Sequence, residues 1–148
     1  MRSDALSTGV GAVLLQECND KFSVAYASRK LLLSEQAYST VERECLALVW
    51  GISKFQVFLE GVEFTIETDH RPLAYLNQAK CTNSRVMRWA LSLQPFRYRI
   101  EAIRGSENVG ADFLSRIARC GNSDACLSLI SCTGKTSFGL YSSTKTSD

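Results

Sequence analysis

The chain has 148 residues, 45% hydrophobic and 22% charged, which suffices for one buried core and is too apolar for a disordered tail. A formal charge of only +2 excludes a histone-like polycation but allows a nucleic-acid enzyme whose basic residues are clustered. No apolar run is long enough to span a bilayer, and Met1-Arg2-Ser3-Asp4 does not open a signal peptide, so no membrane partner and an intracellular location, cytoplasm or nucleus, are expected.

In chain order, Gly9 to Gln16 reads as a strand, Asn19-Asp20 as a turn, and Phe22 to Tyr26 as the returning strand of a hairpin. A long helix is predicted from about Ser39 to Phe58, because Val41, Cys45, Leu48, Ile52, Phe55 and Leu59 form one stripe at helical spacing. Ser39-x-x-Glu42 marks its start as a capping box. Phe64 to Asp69 reads as a buried strand, and Arg71 to Leu76 as a short helix begun by Pro72. Asn83 or Ser84 caps a further helix to Leu93. Phe96 to Ile100 alternates as an edge strand with Phe96, Tyr98 and Ile100 inward and Arg97 and Arg99 outward. After a turn at Gly105–Asn108, Asn108 caps a last helix through Ile117. An early hairpin followed by strand–helix alternation implies a mixed sheet with helices on its faces.

From Cys120 onward the composition shifts to Gly, Ser, Thr and Lys, and residues 117–148 read as a disordered tail in which Leu127 to Ile130 pack locally at most. Cys18, Cys45 and Cys81 stand singly in periodic segments, as small buried hydrophobes do. Cys120, Cys126 and Cys132 lack C-x-x-C pairs and a nearby histidine, so they argue only weakly for a zinc module. Gly134-Lys135-Thr136 lacks the earlier glycine of a phosphate-binding loop.

Four acidic residues are poorly explained by structural need: Asp4 before the first glycine-containing strand, Glu44 in the first turns of the long helix, Asp69 at the end of a core strand, and Asp112 at the start of the last helix. A strand-end aspartate lies at the carboxyl edge of the sheet, where open α/β folds bind ligands. Carboxylates gathered there repel each other unless cations neutralise them, and hard cations such as Mg²⁺ take oxygen ligands. Each residue also has a bland reading: Asp4 as a frayed terminal residue, Asp69 as a helix cap, Asp112 as complement to a helix dipole. Glu42 and Glu44 lie about 200° apart around their helix. The capping box occupies Glu42 and leaves Glu44 without a local task.

Four segments together resemble the ribonuclease H domain of gypsy-type LTR retrotransposon reverse transcriptases. They are Asp4-Ala-x-x-x-Gly9-Val-Gly11-Ala-Val-Leu; Ala25-Tyr-Ala-Ser-Arg29 with Tyr38-Ser-Thr-x-Glu42-x-Glu44-Cys-Leu-Ala-Leu-Val-Trp50; Thr68-Asp69-His70-x-Pro-Leu73; and Arg88-Trp89-Ala-Leu-x-Leu-Gln94 with Glu107-Asn108-Val-x-Ala-Asp112-x-Leu-Ser-Arg116. The resemblance covers residues 4 to 116, so residues 1–116 are expected to be the domain. It implies an RNase H-like α/β fold: a five-stranded mixed sheet, the first three strands antiparallel and the rest parallel, with helices on its faces. It implies that Asp4, Glu44, Asp69 and Asp112 are the catalytic and metal-binding carboxylates for two Mg²⁺ ions, Mn²⁺ being a possible substitute. It also implies hydrolysis of the RNA strand of an RNA–DNA hybrid, and polymerase and integrase domains as partners in a parent polyprotein.

Gly9 and Gly11 are candidates for close approach to the hybrid, and Arg85, Arg88 and Arg104 for its phosphate backbones. Trp50 and Trp89 fit helix–sheet packing better than base stacking. The sequence departs from the family at two places. Only Met1-Arg2-Ser3 precede Asp4, so the first strand is truncated at the N-terminus. The loop Ile103–Asn108 carries Arg104 and lacks the histidine that many ribonucleases H place there. The alternative reading is a catalytically inert domain that binds nucleic acid weakly or only supports a neighbouring domain.

Overall fold

In the computed structural model, which describes residues 1–18, 20–70, 83–117 and 128–129, the chain opens directly into a short strand, β1 (Arg2–Ala5). A turn closed by the Leu6 N–H to Gly9 carbonyl bond leads into the long hairpin of β2 (Gly9–Cys18) and β3 (Asp20–Lys30). A single helical turn α1 (Leu33–Gln36) follows, then α2 (Thr40–Lys54), α3 (Gln56–Leu59) and β4 (Glu63–Thr68). After the undescribed stretch come α4 (Ser84–Ser92), β5 (Arg97–Ala102), a 3₁₀ turn at Gly105–Glu107 and α5 (Val109–Ile117).

The strands lie in the order β5-β4-β1-β2-β3, with the two-residue β6 (Ser128–Leu129) pairing beside Ala25 and Tyr26 of β3. β1, β2 and β3 are antiparallel; β4 runs parallel to β1 and to β5. This is the expected five-stranded mixed sheet with one extra rung at its edge. Neighbouring residues of β2 face opposite ways, and each face takes one helix. Ala12 and Leu14 join Cys45, Leu48, Ile52 and Phe55 in the main core under α2, whereas Val13 packs with Ala111 and Leu114 of α5.

The long helix predicted to Phe58 breaks at Phe55, whose backbone (φ −97°, ψ 12°) leaves the helical region while its N–H still caps α2 on the Gly51 carbonyl. The fully buried Phe55 ring fixes the break, and Leu59 on α3 still reaches the core. Val41 is 37% exposed, so the buried stripe starts at Cys45 rather than Val41. Gly61, with φ +76°, makes the turn into β4 that a side-chain-bearing residue adopts only under strain. The helix expected at Arg71–Leu76, and the tail apart from β6, lie outside the described residues, as do the side chains of Cys18 and Cys81. Among the described residues no helix is long and apolar enough to cross a membrane.

Gly11 has a structural task. A Cβ built there lies 2.6 Å from the Ala111 carbonyl oxygen and 2.7 Å from the Ser115 nitrogen, so α5 packs directly onto its backbone. The close approach is to the chain's own helix rather than to an outside ligand. Gly11→Ala is expected to lower stability by about 1–3 kcal/mol through displacement of α5, measured as a shift in the urea midpoint with unchanged m-value.

Candidate active site

Each of the four carboxylates comes from a different element, and β1 is the one the others approach. Asp4 sits on the α5 face of β1, its Oδ2 accepting from the Ser115 hydroxyl at 2.6 Å. Ser115 is fully buried and its Oγ also lies 2.8 Å from the Asp112 carbonyl, so the middle of α5 holds the Asp4 rotamer. Asp69 follows the last residue of β4 and is exposed; its Oδ1 accepts from the Asn108 side-chain amide at 3.2 Å. The same amide donates to the Ser3 carbonyl at 3.2 Å. Asn108 thus ties the end of β4, the centre of β1 and the start of α5 together. Gly105 lies on the same turn within ordinary contact of Asp69, a Cβ there standing 3.4 Å from Oδ2.

Glu44 arrives from α2. The capping box expected from sequence is present in both directions: Glu42 N–H donates to Ser39 Oγ (3.3 Å) and Ser39 N–H to Glu42 Oε2 (2.9 Å). Glu42 also accepts from Asn83 (3.0 Å) and from Arg85 (2.7 Å), which locks α2 to α4. These bonds, Asn83 first, pull the Glu42 carboxyl down to about 2. Glu44, free of such tasks, is 6% exposed, and its Oε2 is buried without a hydrogen-bond partner.

The carboxylates act on one another. Burial, then Asp4, then Asp69 push Glu44 up to about 8, against weaker opposing help from the Ala5 backbone and Arg43. Asp4 is also raised, by burial first and by Asp112 and Asp69, with Ser115 opposing. Asp112 lies at the rim in a bidentate pair with Arg116, four residues on, at 2.8 and 3.1 Å. Among the described residues no three Asp, Glu, His or Cys side chains are drawn into a closed metal-ligand set. Like charges without a counter-ion hold apart, and Asp112 and Asp69 each have another partner.

Of the basic candidates, Arg85 stacks 4.1 Å above the Tyr38 ring centroid while paired to Glu42, and Tyr38 in turn contacts Trp89, their ring centroids 6.1 Å apart. Arg88 is exposed on α4, and Arg104 is exposed beside the turn that carries Gly105. Gly9 is buried at the start of β2, paired with Lys30 of β3. Sequence reasoning missed Asn108 as a bridge, having assigned it a cap alone, and missed Ser115 and Arg116. The only local signal was their place after Asp112 in Asp-x-Leu-Ser-Arg.

Comparison with known proteins decides the ancestry. Residues 1–96 match the family described as the RNase H-like domain found in reverse transcriptase. The chain belongs to that family. It is 40% identical over 116 residues to the Pol polyprotein of transposon 412 of Drosophila melanogaster, and 40% over 117 residues to that of transposon gypsy from the same organism, each alignment covering 78% of this chain. It is 38% identical over 120 residues to the genome polyprotein of Petunia vein clearing virus. The chain spans only 9%, 11% and 6% of those three relatives. Among solved structures, RNase H1 from Halobacterium salinarum superposes with a TM-score of 0.65 at 20% identity, covering 80% of this chain and 94% of that one. LC11-RNase H1 in complex with an RNA/DNA hybrid gives 0.61 at 15% identity, covering 79% and 91%. These likenesses establish the RNase H fold.

The electrostatics of this RNase H-like domain predict a definite pH profile without divalent metal. A Glu44 pKa raised to about 8 means the folded state keeps a proton that the unfolded state loses near 4.5, so stability falls as pH rises from 4.5 to 8. The slope reaches up to about 1.4 kcal/mol per pH unit, and Asp4 adds to it in the same direction. Below 4.5 the sign reverses, because Glu42 and Glu35 have lowered values and protonation costs their bonds. Urea melts at pH 5, 6.5 and 8 are expected to show this decline, and Glu44→Gln to flatten it.

Proposed function

We propose that this domain is an RNase H-type endonuclease that hydrolyses the RNA strand of RNA–DNA hybrids, with Asp4, Glu44, Asp69 and Asp112 as its catalytic carboxylates and the ligands of two Mg²⁺ ions. The observation that carries this reading is the gathering of four carboxylates from β1, α2, β4 and α5 around Asp4, with Glu44 Oε2 buried and unpartnered. The donor set is all oxygen and anionic, which suits a hard divalent cation, with Mn²⁺ as a substitute. When bound, such a pair lowers the pKa of a coordinated water and stabilises the leaving oxygen of a phosphodiester.

The rest is the work of the chain's own residues. Ser115 fixes Asp4, Asn108 aims Asp69, and Arg116 pairs with Asp112 at the rim. Arg85, Arg88 and Arg104 offer cations to the phosphate backbones of a hybrid. In a parent polyprotein of the kind its relatives represent, the domain would follow a polymerase region and precede an integrase. A second reading, an inert domain that only binds nucleic acid or supports a neighbour, is favoured by one observation: the four carboxylates do not form a closed ligand set, Asp112 being held by Arg116.

Cleavage of a labelled RNA–DNA hybrid in Mg²⁺, run beside double-stranded RNA and DNA, separates the two readings. The enzyme is expected to cut only the RNA of the hybrid, and Asp69→Asn to reduce the rate by at least about a hundredfold, or 2.7 kcal/mol at the transition state. Activity retained in a folded Asp69→Asn variant removes Asp69 from the site.

His70, the only histidine, invites assignment as a general base. A site with two bound metals would need no obligatory protein base, because a metal lowers the pKa of its own water. The His70 backbone N–H is occupied by Thr68 Oγ1 at 3.1 Å, a local turn contact. His70→Ala is therefore expected to keep cleavage within about tenfold of the parent. A hundredfold loss, with loss of an inflection near pH 6–7, gives it a part in the chemistry.

A further inference from the structure

Glu44 stands where the forces on it favour leaving. Its Oε2 is buried without a hydrogen-bond partner, and Asp4 and Asp69 repel its charge. Its own helix gives it little local support. Glu44 is the first buried residue of α2, and the buried apolar stripe starts after it, at Cys45. Before it, Thr40 and Val41 are exposed and Glu42 and Arg43 are half-buried. A helix end without an apolar anchor frays or tilts at little cost, and the carboxylate two residues on would retreat with it.

One carboxylate ties this end down. Glu42 Oε2 accepts from the Ser39 N–H at 2.9 Å, which closes the cap of α2. Its Oε1 accepts from the Asn83 side-chain amide at 3.0 Å and from Arg85 Nη1 at 2.7 Å. Asn83 is itself the cap of α4, its Oδ1 accepting from the Arg85 N–H at 2.9 Å. Glu42 therefore joins the N-terminal caps of two helices. Arg85 is held in place by the Tyr38 ring, 4.1 Å below its guanidinium and next in sequence to the Ser39 cap, and Tyr38 leans on Trp89 of α4. On the other side of the tie α4 is a firm post, since Val86 and, at its C-terminal end, Leu93 are buried in the main core. The Glu42 side chain is only 12% exposed, so its charged bonds are less screened than those of a surface pair.

We propose that Glu42, with Asn83 and Arg85, is a positioning group for the carboxylate site: by tying the first turn of α2 to α4 it holds Glu44 facing Asp4. This rests on the reading of Glu44 as a metal ligand given above. Arg85 thereby has a task within the chain besides any contact with a hybrid. The comparison that separates positioning from mere stabilisation is the other bidentate pair of the fold, Arg29 with Glu35 at 2.6 and 2.9 Å, which lies by Trp50 in the later turns of α2 and away from its first turn.

Glu42→Gln isolates the tie, because glutamine still serves the capping box while the charge that binds Arg85 is gone. Calorimetric titration of the full chain with Mg²⁺ at pH 8 is expected to show an affinity about tenfold weaker than the parent's, the low end of what a metal site loses with its supporting groups. Arg85→Met is expected to show the same loss, and the double variant no more than either single, because both break one link. Arg29→Met is expected to lower the urea midpoint and to bind Mg²⁺ as the parent does. In the metal-free chain the amide of Ala5, whose backbone bonds the Glu44 carboxylate, is expected to shift in Glu42→Gln and Arg85→Met and to stay in Arg29→Met. Parental affinity in the folded Glu42→Gln and Arg85→Met variants, or an equal loss in Arg29→Met, overturns the proposal. If the parent itself binds no Mg²⁺, the metal reading fails and the Ala5 amide decides alone: unmoved in both variants of the tie, it overturns the positioning role as well.

Discussion

The four residues of β1 are the constraint on which the rest of the chain depends. The hairpin β2–β3 hangs on one edge of this strand and the parallel pair β4–β5 on the other, where Met1 adds main-chain bonds to Thr65 and Glu67, so the described sheet is continuous through Met1–Ala5. Both helical layers also register against it. On the α2 face, Gly51 lets α2 settle onto Ala12 and Met1, where a Cβ would come within 2.8 and 3.3 Å. On the opposite face, Asn108 bonds the Ser3 carbonyl and Ser115 the Asp4 carboxylate. A strand this short supplies few ladder bonds of its own. Its hold comes from packing on both faces and from buried polar links, which are costly to leave unmade.

The same strand places a charge where charge is expensive. Asp4 is partly buried and faces carboxylates from three other elements, and Glu44 is brought under it by a helix whose capping box and α4 ion pair already fix its position. Two interacting acids with raised values, one on β1 and one on α2, are a destabilising arrangement. The surrounding groups limit the cost without removing it: Ser115 and the Ala5 backbone favour the ionised forms, and Arg116 neutralises Asp112 at the rim.

Much of this was legible in the amino-acid pattern, for reasons that differ by element. The stripe from Cys45 to Ile52 and the Ser39–Glu42 box are local signals, and α2 begins where they place it. The strict alternation of Phe96 to Ile100 reports a half-buried edge strand, as β5 is. The distinction between Glu42 and Glu44 came from assigning one a cap, and the hydrogen bonds agree. Features set by tertiary packing were not legible. Nothing local told that Phe55 would end α2 while Leu59 stayed in the core, or that a one-turn helix with no buried residue would form at Leu33–Gln36. Gly11 looked like a point of approach for a ligand because a glycine in a strand carries no information about what approaches it; α5, a hundred positions on in sequence, is what does. Asn108 was read as a cap because its bridge spans β1 and β4, partners remote in sequence.

The central claim is that the four carboxylates around β1 form a site for divalent cations. Calorimetric titration of the full chain with Mg²⁺ at pH 8, in parallel with Asp4→Asn, tests it most directly. The account predicts saturable binding to the parent, approaching two ions per chain, and at least a tenfold weaker affinity in the variant. Heats no greater than dilution for the parent, or equal binding by parent and variant, would contradict it.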